Sequence, residues 1–502
     1  MNKQRVSEVI SPDEIKTWKS GEVISIKAGT GAGKSYFIKN ILYAFAKANN
    51  KRILFLIHRK NCVNQFEQEI IKDKKTDIIK IMTYQKIETS ELKNNKFDLS
   101  KYQYIVSDEF HYFMSDASFN KTTDISLNRI LENKNAVKIF MSATGDFVKG
   151  YINLVKNINI KNYELDINYK FIRKLSFFNN DKTMDNFIAE CIQKGDKGIF
   201  FVESAEKAYK LYSKYVDNCL FNCSSSNIDY YKYVDKEKIN EMLNNERFEE
   251  NVLITTTCMD AGVNIKDTDL LHVVCDVKDT GTLIQCIGRK RIQNEDDRIY
   301  LYIKNITNQQ LGGRETQLRN KIEKADFFRS HTVKEYIEKY PRSSDYTHIV
   351  YDDILDEENI CTKKMNELMY FKVKSDILEI ENMLQKKSKK PPKYGYCKYM
   401  SKMFGFEDNF SIIEEDYDAD SLELYLENMV GKPMYQVKDR KELIEKIDVK
   451  SNGKLLRKIN NLNGALEERK IPYRIIEFST SEIKNGKQKR YPNSWRIEKL
   501  IS

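Results

Sequence analysis

The stretch Ala28-Gly29-Thr30-Gly31-Ala32-Gly33-Lys34-Ser35 decides the reading of this chain. An apolar run, Val23-Ile24-Ser25-Ile26, precedes it and has the composition of a buried strand. Tyr36 to Ala48 follows and favours a helix. Strand, glycine-rich turn, helix is the setting in which such a loop cradles phosphates. Gly31 and Gly33 let the backbone wrap an anion with its N–H groups turned inward. The helix N-terminus adds its dipole at the same place. Lys34 reaches the outer phosphates as a point charge, and the Ser35 hydroxyl is a ligand for Mg2+. Gly29, Thr30 and Ala32 complete the cradle. Ala28 stands where the general pattern has glycine.

Outward from this loop, apolar runs alternate with helix-favouring ones. Arg52–Ile57, Ile78–Met82, Tyr102–Ser107 and Val137–Met141 read as further buried strands. Each ends on polar, reactive residues: His58-Arg59, Thr83-Tyr84-Gln85, Asp108-Glu109-Phe110-His111 and Ser142-Ala143-Thr144. Carboxyl ends of strands are where ligands bind in an open α/β sheet. Asp108, ending a buried strand about seventy residues beyond Lys34, suits a Mg2+ ligand. Glu109 suits the group that polarises an attacking water. A second α/β set begins near Tyr169, with strands 198–202, 251–255, 271–275 and 298–303 and helices around 184–193, 205–215, 236–244 and 282–287. Such alternation implies mostly parallel sheets.

Charge and cysteine content narrow the function. The chain has 502 residues, 41% hydrophobic and 31% charged, which suggests about three domains. No run is long and apolar enough to span a bilayer, and the first residues lack a signal-peptide apolar core. Nine scattered cysteines form no Cys-x-x-Cys pair, as expected of small buried hydrophobes in a reducing cytoplasm. The net charge is +10, and the last 72 residues, with 18 basic and nine acidic side chains, hold nearly all of the excess. Met403 to Val430, just before them, holds nine acids and no base. A basic end module points to a polyanionic partner, and the acidic stretch could dock on it. No Ser/His/Asp set or nuclease metal cluster suggests a second activity.

The ordered set resembles the motor core of a superfamily 2 helicase of the DEAD/DEAH-like type, over residues of about 20 to 305. Ala28–Ser35 resembles motif I, His58-Arg59 motif Ia, Thr83-Tyr84-Gln85 motif Ic, Asp108–His111 motif II and Ser142-Ala143-Thr144 motif III. Phe201–Ser204, Thr256–Ile265 and Gln285–Arg291 stand at motifs IV, V and VI. Thr-Tyr-Gln and the ending Gly-Val-Asn-Ile are similar to helicases of phages and mobile elements of low-GC bacteria. The resemblance implies two RecA-like lobes sandwiching ATP, with Lys34, Ser35, Asp108 and Glu109 binding and hydrolysing it. It implies arginine fingers from Arg289 and Arg291, nucleotide sensing by Gln285 and nucleotide contacts from Asp260, Gly262 and Asn264. Ser142 and Thr144 would relay between nucleotide and strand, and His111 would couple motif II to the second lobe. His58, Arg59, Thr83, Tyr84, Gln85, Ser204 and Thr256 would hold one nucleic-acid backbone. The family's last motif VI arginine slot is Ile292 here, which leaves open whether Arg289 or Arg291 is the finger. Asn264 replaces a frequent aspartate. No clear adenine-reading motif precedes the loop, and Trp18 is the one stacking candidate.

Beyond about Leu311 the strands fade. Arg314–Tyr340 and Asn366–Gln385 read as charged helices, and Lys386–Lys393 as a basic, proline-containing linker. Leu455–Arg469 reads as a helix, followed by strands at 473–478 and 494–497 around an Asn-Gly turn. Helix and basic hairpin resemble a winged-helix unit, with Lys484, Lys487, Lys489 and Arg490 on phosphates. The expectation is an α/β protein: RecA-like lobes over 1–160 and 161–310, a helical region over 311–393 and an accessory α+β domain over 394–502, basic from 431. Its cofactors are ATP and Mg2+. Its activity is that of a DNA helicase or translocase, with an RNA helicase or an ATP-driven switch subunit as alternatives. DNA is favoured over RNA as partner, a protein partner could dock on the C-terminal region, and no membrane is involved.

Overall fold

The structure is a computed structural model that describes residues 4–29, 31–58, 60–93, 95–118, 120, 122–259, 263–340, 349–355, 360–386, 388, 391–451, 454–484 and 487–500. It divides into two compact units, Met1–Phe410 and Ser411–Ser502.

The first unit opens with a parallel sheet of β1 (Val23–Lys27), β2 (Ile53–Ile57), β3 (Ile79–Thr83), β4 (Tyr104–Asp108), β5 (Val137–Ser142) and β6 (Ile160–Glu164), in the order β3-β2-β4-β5-β1-β6. Burial on both faces of the sheet explains why the central strands read as unbroken apolar runs. Ile24, Ile26, Phe55, Val106 and Ile139 face one layer, with Phe37 and Ile38 of the helix after the glycine-rich loop. Val23, Leu54, Leu56, Ile105 and Phe140 face the other, with Leu127 and Ile130. Edge strand β6 is mostly polar, so its sequence carries no strand signal.

A second parallel sheet holds β7 (Ile172–Phe178), β8 (Lys197–Val202), β9 (Cys219–Asn222), β10 (Val252–Thr256), β11 (Leu270–Cys275) and β12 (Ile299–Lys304), in the order β7-β12-β11-β8-β10-β9. The two sheets are the tandem RecA-like lobes the motif order implies. β7 and β9 were not anticipated. β9 is only four residues long.

The helix expected over 314–340 is two helices, Asn308–Ser330 and Val333–Lys339. The break has a local cause: the Thr332 hydroxyl accepts the Glu335 N–H, and Glu335 reaches back to the Thr332 N–H. An antiparallel pair not foreseen, β13 (Val350–Leu355) and β14 (Ile360–Met365), leads into the helix Glu367–Leu384. This helix bridges the lobes. Leu368 is fully buried in the first lobe's core, and Phe371 meets Tyr151 edge-on at 5.6 Å. Its far end pairs Glu381 with Arg319 of the helix Asn308–Ser330. Glycine is required at Gly395, where any Cβ would lie 2.4 Å from the Met383 carbonyl oxygen. The helix Gly395–Met403 sets Tyr396 against Phe177 of the second lobe. Within the expected linker, Lys387, Lys389 and Lys390 lie outside the described residues.

The second unit packs the helices Ile413–Met429, Val437–Ile447 and Ile459–Glu468 against a long hairpin, Tyr473–Lys484 with Lys487–Lys499. The helix expected from Leu455 starts at Ile459, because Lys454-Leu455 pairs with Lys450-Ser451. The acidic stretch does pack on the basic end segment, and by apolar contacts as well as charge. It supplies Leu422 and Leu426 to this unit's core, and Glu427 pairs with Lys499.

Candidate active site

β1 leads into the glycine-rich loop at Ala28, whose N–H donates to the Ser142 carbonyl at 3.2 Å. Gly31 and Gly33 have φ of +78° and +82°, a left-handed backbone that glycine adopts without steric cost. The helix then runs through Lys34–Tyr36, a π-helical stretch Phe37–Leu42, and Tyr43–Ala48. The Val6 N–H donates to the Ala32 carbonyl at 2.9 Å, so the first described helix, Val6–Val9, sits on the loop. The sequence reading passed over that contact, since one valine in a polar lead-in carries no signal. Of the two readings of Trp18, stacking partner or packing residue, the structure favours the second: its ring is buried in the lobe's core, and Nε1 donates to the Tyr163 hydroxyl at 3.0 Å. It is a packing residue. Gly29 packs on Ile167.

Lys34 is 9% exposed. Its Nζ donates to the Ala28 carbonyl at 3.0 Å and lies 3.6 Å from Glu109 Oε1. Glu109 has φ of +48°, a left-handed backbone that costs a non-glycine residue roughly 1–3 kcal/mol and recurs at functional sites. Its other oxygen accepts from Ser142 Oγ at 3.3 Å and lies 3.4 Å from His111 Nδ1. Burial pushes the Asp108 carboxyl up to about 7, and the Glu109 charge adds to the effect. Burial acts the same way on Glu109, but Lys34 and His111 outweigh it and hold that carboxyl well below the usual range. The pair thus favours a single negative charge near neutrality. Asp108 Oδ1 is buried and makes no hydrogen bond among the described residues. A buried acceptor in that state suits a cation. Asp108 and the exposed Ser35 are the residues that could hold it.

The second lobe meets this cluster through the helix Thr280–Ile287. Gln285 Nε2 lies 2.7 Å from His111 Nε2, and His111 Nδ1 lies 2.9 Å from Ser142 Oγ. Ser142 Oγ also accepts the Thr144 N–H at 3.0 Å. Thr144 stands at the start of that helix, 3.8 Å from where a Cβ on Gly281 would be. Beyond the helix, Lys290 bridges to Ile265 in extended backbone. Lys290 turns into the core, pairing with Asp297 at 2.6 Å. The Glu109 charge acts on both Arg289 and Arg291. Arg289 commits Nε to the Gln285 carbonyl and Nη1 to the Val263 carbonyl. Arg291 Nε donates to Asn264 Oδ1 at 2.7 Å, while its buried Nη1 makes no hydrogen bond among the described residues. Burial, with help from Arg289, pushes the Arg291 guanidinium down to about 10. Ile292 is on the surface.

The strand-end residues are placed as follows. Tyr84 is buried, and its hydroxyl donates to the Asp108 carbonyl at 2.9 Å. Gln85 Nε2 donates to the His58 carbonyl at 3.2 Å. Thr83 ends β3, half-buried. Ser204 caps a helix by accepting the Lys207 N–H at 3.2 Å, and Thr256 is buried at the end of β10. Lys489 and Arg490 are exposed on the terminal hairpin. Thr30, Arg59, Asp260 and Gly262 lie outside the described residues, as do the side chains of Lys484 and Lys487. A support the sequence reading missed is Glu88, a buried carboxylate accepting from Tyr112, Ser126, Asn120 and Thr122 beneath motif II. Chemically, the arrangement offers an anion cradle, a lysine, one charged and one protonatable carboxyl, and two guanidinium groups from the opposite lobe. That is the equipment of phosphoryl transfer.

Comparison with known proteins bears on this site. Residues 3–147 match the family model for the type III restriction enzyme, res subunit, and residues 180–292 match that for the helicase conserved C-terminal domain. No curated protein matches the chain. Among solved structures, S. cerevisiae Dbp5 bound to RNA and ADP BeF3 is 18% identical over 57% of this chain and 79% of its own, with a TM-score of 0.41. Mss116p bound to ssRNA and AMP-PNP is 13% identical over 59% and 68%, with a TM-score of 0.43. The ATP-dependent type ISP restriction-modification enzyme LlaBIII bound to DNA is 12% identical over 81% of this chain and 33% of its own, with a TM-score of 0.41. One family model lies on the lobe carrying Lys34, Asp108 and Glu109, and the other on the lobe carrying Gln285, Arg289 and Arg291, so the chain belongs to the superfamily 2 helicases, enzymes that hydrolyse ATP.

Proposed function

We propose that the chain is a DNA helicase or translocase that converts ATP hydrolysis into movement along one strand, in replication or recombination of a phage or mobile element. The observation that carries this reading is the 2.7 Å contact between His111 of the first lobe and Gln285 of the second. It ties the hydrolytic carboxylates of one lobe to the helix of the other that leads into Arg289 and Arg291, so nucleotide state and lobe closure are linked. In this reading the loop Gly29–Ser35 and Lys34 hold the phosphates. Glu109, charged at neutral pH, takes the proton side of the attacking water. Arg291 and Arg289 neutralise charge on the transferring phosphoryl group. Asp108 and Ser35 would hold Mg2+, which when bound would neutralise phosphate charge. Asp260, Gly262 and Asn264 border the nucleotide. Arg59, Thr83, Ser204 and Thr256 grip backbone, and Lys484, Lys487, Lys489 and Arg490 add phosphate contacts from the terminal unit. Residues 1–160 and 161–310 act as motor lobes, 311–393 as their helical support, and 394–502 as the accessory part, in a cytoplasmic setting.

Two features favour DNA: the restriction-enzyme description of the model on residues 3–147, and the basic last 72 residues. The test is steady-state ATPase with no nucleic acid, single-stranded and duplex DNA, and single-stranded and duplex RNA, at two salt concentrations. Stimulation by DNA that weakens with salt is the expected result. Stimulation by RNA alone replaces DNA with RNA. A rate flat with every nucleic acid but raised by a protein partner of the C-terminal region replaces the motor with a switch. Lys34→Ala should abolish turnover in every case.

A further inference from the structure

The residues at the carboxyl ends of β2 and β3 turn inward, toward the nucleotide side chains. Tyr84 stacks on Tyr112 at 4.9 Å and 7°, with its hydroxyl on the Asp108 carbonyl. Gln85 ties the His58 carbonyl to the start of the next helix. The half-buried His58 ring meets His111 edge-on, with centroids 6.0 Å apart at 67°, and lies over Tyr112 at 5.9 Å and 30°. These are the distances of aromatic contact. The His111 ring is held on its other sides by Ser142, Glu109 and Gln285. His111 Nε2 meets the Gln285 amide, and Nδ1 faces Ser142 and Glu109. Tilting the His111 ring therefore moves its contact with Glu109 and its contact with the second lobe together.

We infer that His58 is a positioning residue for hydrolysis, passing the state of the β2 and β3 strand ends through its ring contact to His111, and from there to Glu109 and Gln285. A phosphate ligand would hold its ring out to solvent, whereas this ring is set against two other rings. Packed aromatic contacts carry small displacements because neighbouring side chains leave little room to absorb them. The inference rests on the reading of the chain as a nucleic-acid-stimulated ATPase.

The test uses the full chain as wild type, His58→Gln, which loses the ring but keeps polar atoms, and His58→Phe, which keeps a ring. Each is assayed for kcat and KM of ATP hydrolysis with and without saturating single-stranded oligonucleotide. Affinity for the same oligonucleotide is measured across a salt series. In His58→Gln the stimulated kcat should fall about tenfold, the upper end of what one aromatic contact contributes. Its oligonucleotide Kd should stay within about twofold, with the salt slope unchanged. His58→Phe should recover most of the loss. A Kd weakened about tenfold with a slope reduced by about one would make His58 a phosphate ligand and overturn the inference. Equal losses in both variants, or none in either, would overturn it as well. A wild type unstimulated by DNA or RNA overturns the proposed function and the coupling with it, a result visible before any variant is made.

Discussion

Substituting the two arginines after the helix Thr280–Ile287 one at a time tests the site most sharply. Arg291 keeps a buried Nη1 without a hydrogen bond, while Arg289 has Nε and Nη1 on two backbone carbonyls. Arg291 therefore keeps more of its five N–H donors for a phosphoryl oxygen than Arg289 does. An arginine finger contributes about 10³–10⁵ in kcat. With Arg289 and Lys34 still supplying positive charge nearby, the low end applies. Arg291→Ala should lower kcat by about 10³, or about 4 kcal/mol of barrier, with nucleotide affinity changed only a few-fold. Arg289→Ala removes two bonds from a charged donor, each worth about 1.5–3 kcal/mol. They tie the helix end to the segment at Val263, so the main loss should be stability. The assay is single-turnover ATP hydrolysis at saturating oligonucleotide, with thermal melting of both variants. If Arg289→Ala loses about 10³ in kcat with an unchanged melt, while Arg291→Ala hydrolyses nearly normally, the argument from spent and unspent bonds is refuted.

Three other outcomes follow from packing and charge. Lys290→Met leaves Asp297, which is buried, without its cation; the cost should be about 3–5 kcal/mol. That lowers the first melting transition by about 10 °C. Lys290→Met/Asp297→Leu should restore most of it, and a double variant as unstable as the single one would count against the buried pair. Burial raises the Glu88 carboxyl above its usual range, against the hydrogen bonds that lower it. The folded chain then keeps this proton to higher pH than the unfolded chain. The stabilisation is full below the unfolded value of about 4.3 and is lost as pH rises through the folded value. Glu88→Gln should therefore gain on wild type as pH rises above about 4.3, by about 1.4 kcal/mol per unit of raised pKa, and a pH-independent gap in chemical denaturation would refute the assignment. Leu368→Ala empties a fully buried site where the bridging helix enters the first lobe. It should cost about 2–5 kcal/mol, and a melt identical to wild type would mean the helix is not seated there.

Much of the architecture follows from local patterns alone. Val23-Ile24-Ser25-Ile26, the glycine-rich loop and the helix after it specify their own conformation, because positive φ at Gly31 and Gly33 and burial on both sheet faces are properties of short segments. The alternation of apolar runs and strand-end polar residues was enough to anticipate two parallel-sheet lobes; that Lys34, Asp108, Glu109, Gln285, Arg289 and Arg291 act as one set was implied only by the resemblance to superfamily 2 helicases. Edge strands were not readable: β6 and β9 are polar or short, and only their neighbours make them strands.

What tertiary structure alone decided is which side chains meet. Spacing placed Arg291 one residue early. Only the fold shows that Arg289 and Arg291 both come under the Glu109 charge while Lys290 between them turns away to Asp297. Strand-end position suggested outward contacts for His58, Tyr84 and Gln85, yet each is engaged with residues distant in sequence, through ring contacts and hydrogen bonds. Charge alone made the acidic segment a partner for the basic end, and the structure adds what seats it there, Leu422 and Leu426 in a core shared with Leu443 and Trp495. The physical reason is common to all three. Backbone conformation is set by a residue and its near neighbours. The partner of a side chain is set by long-range packing, in which burial outweighs the pattern of any one segment.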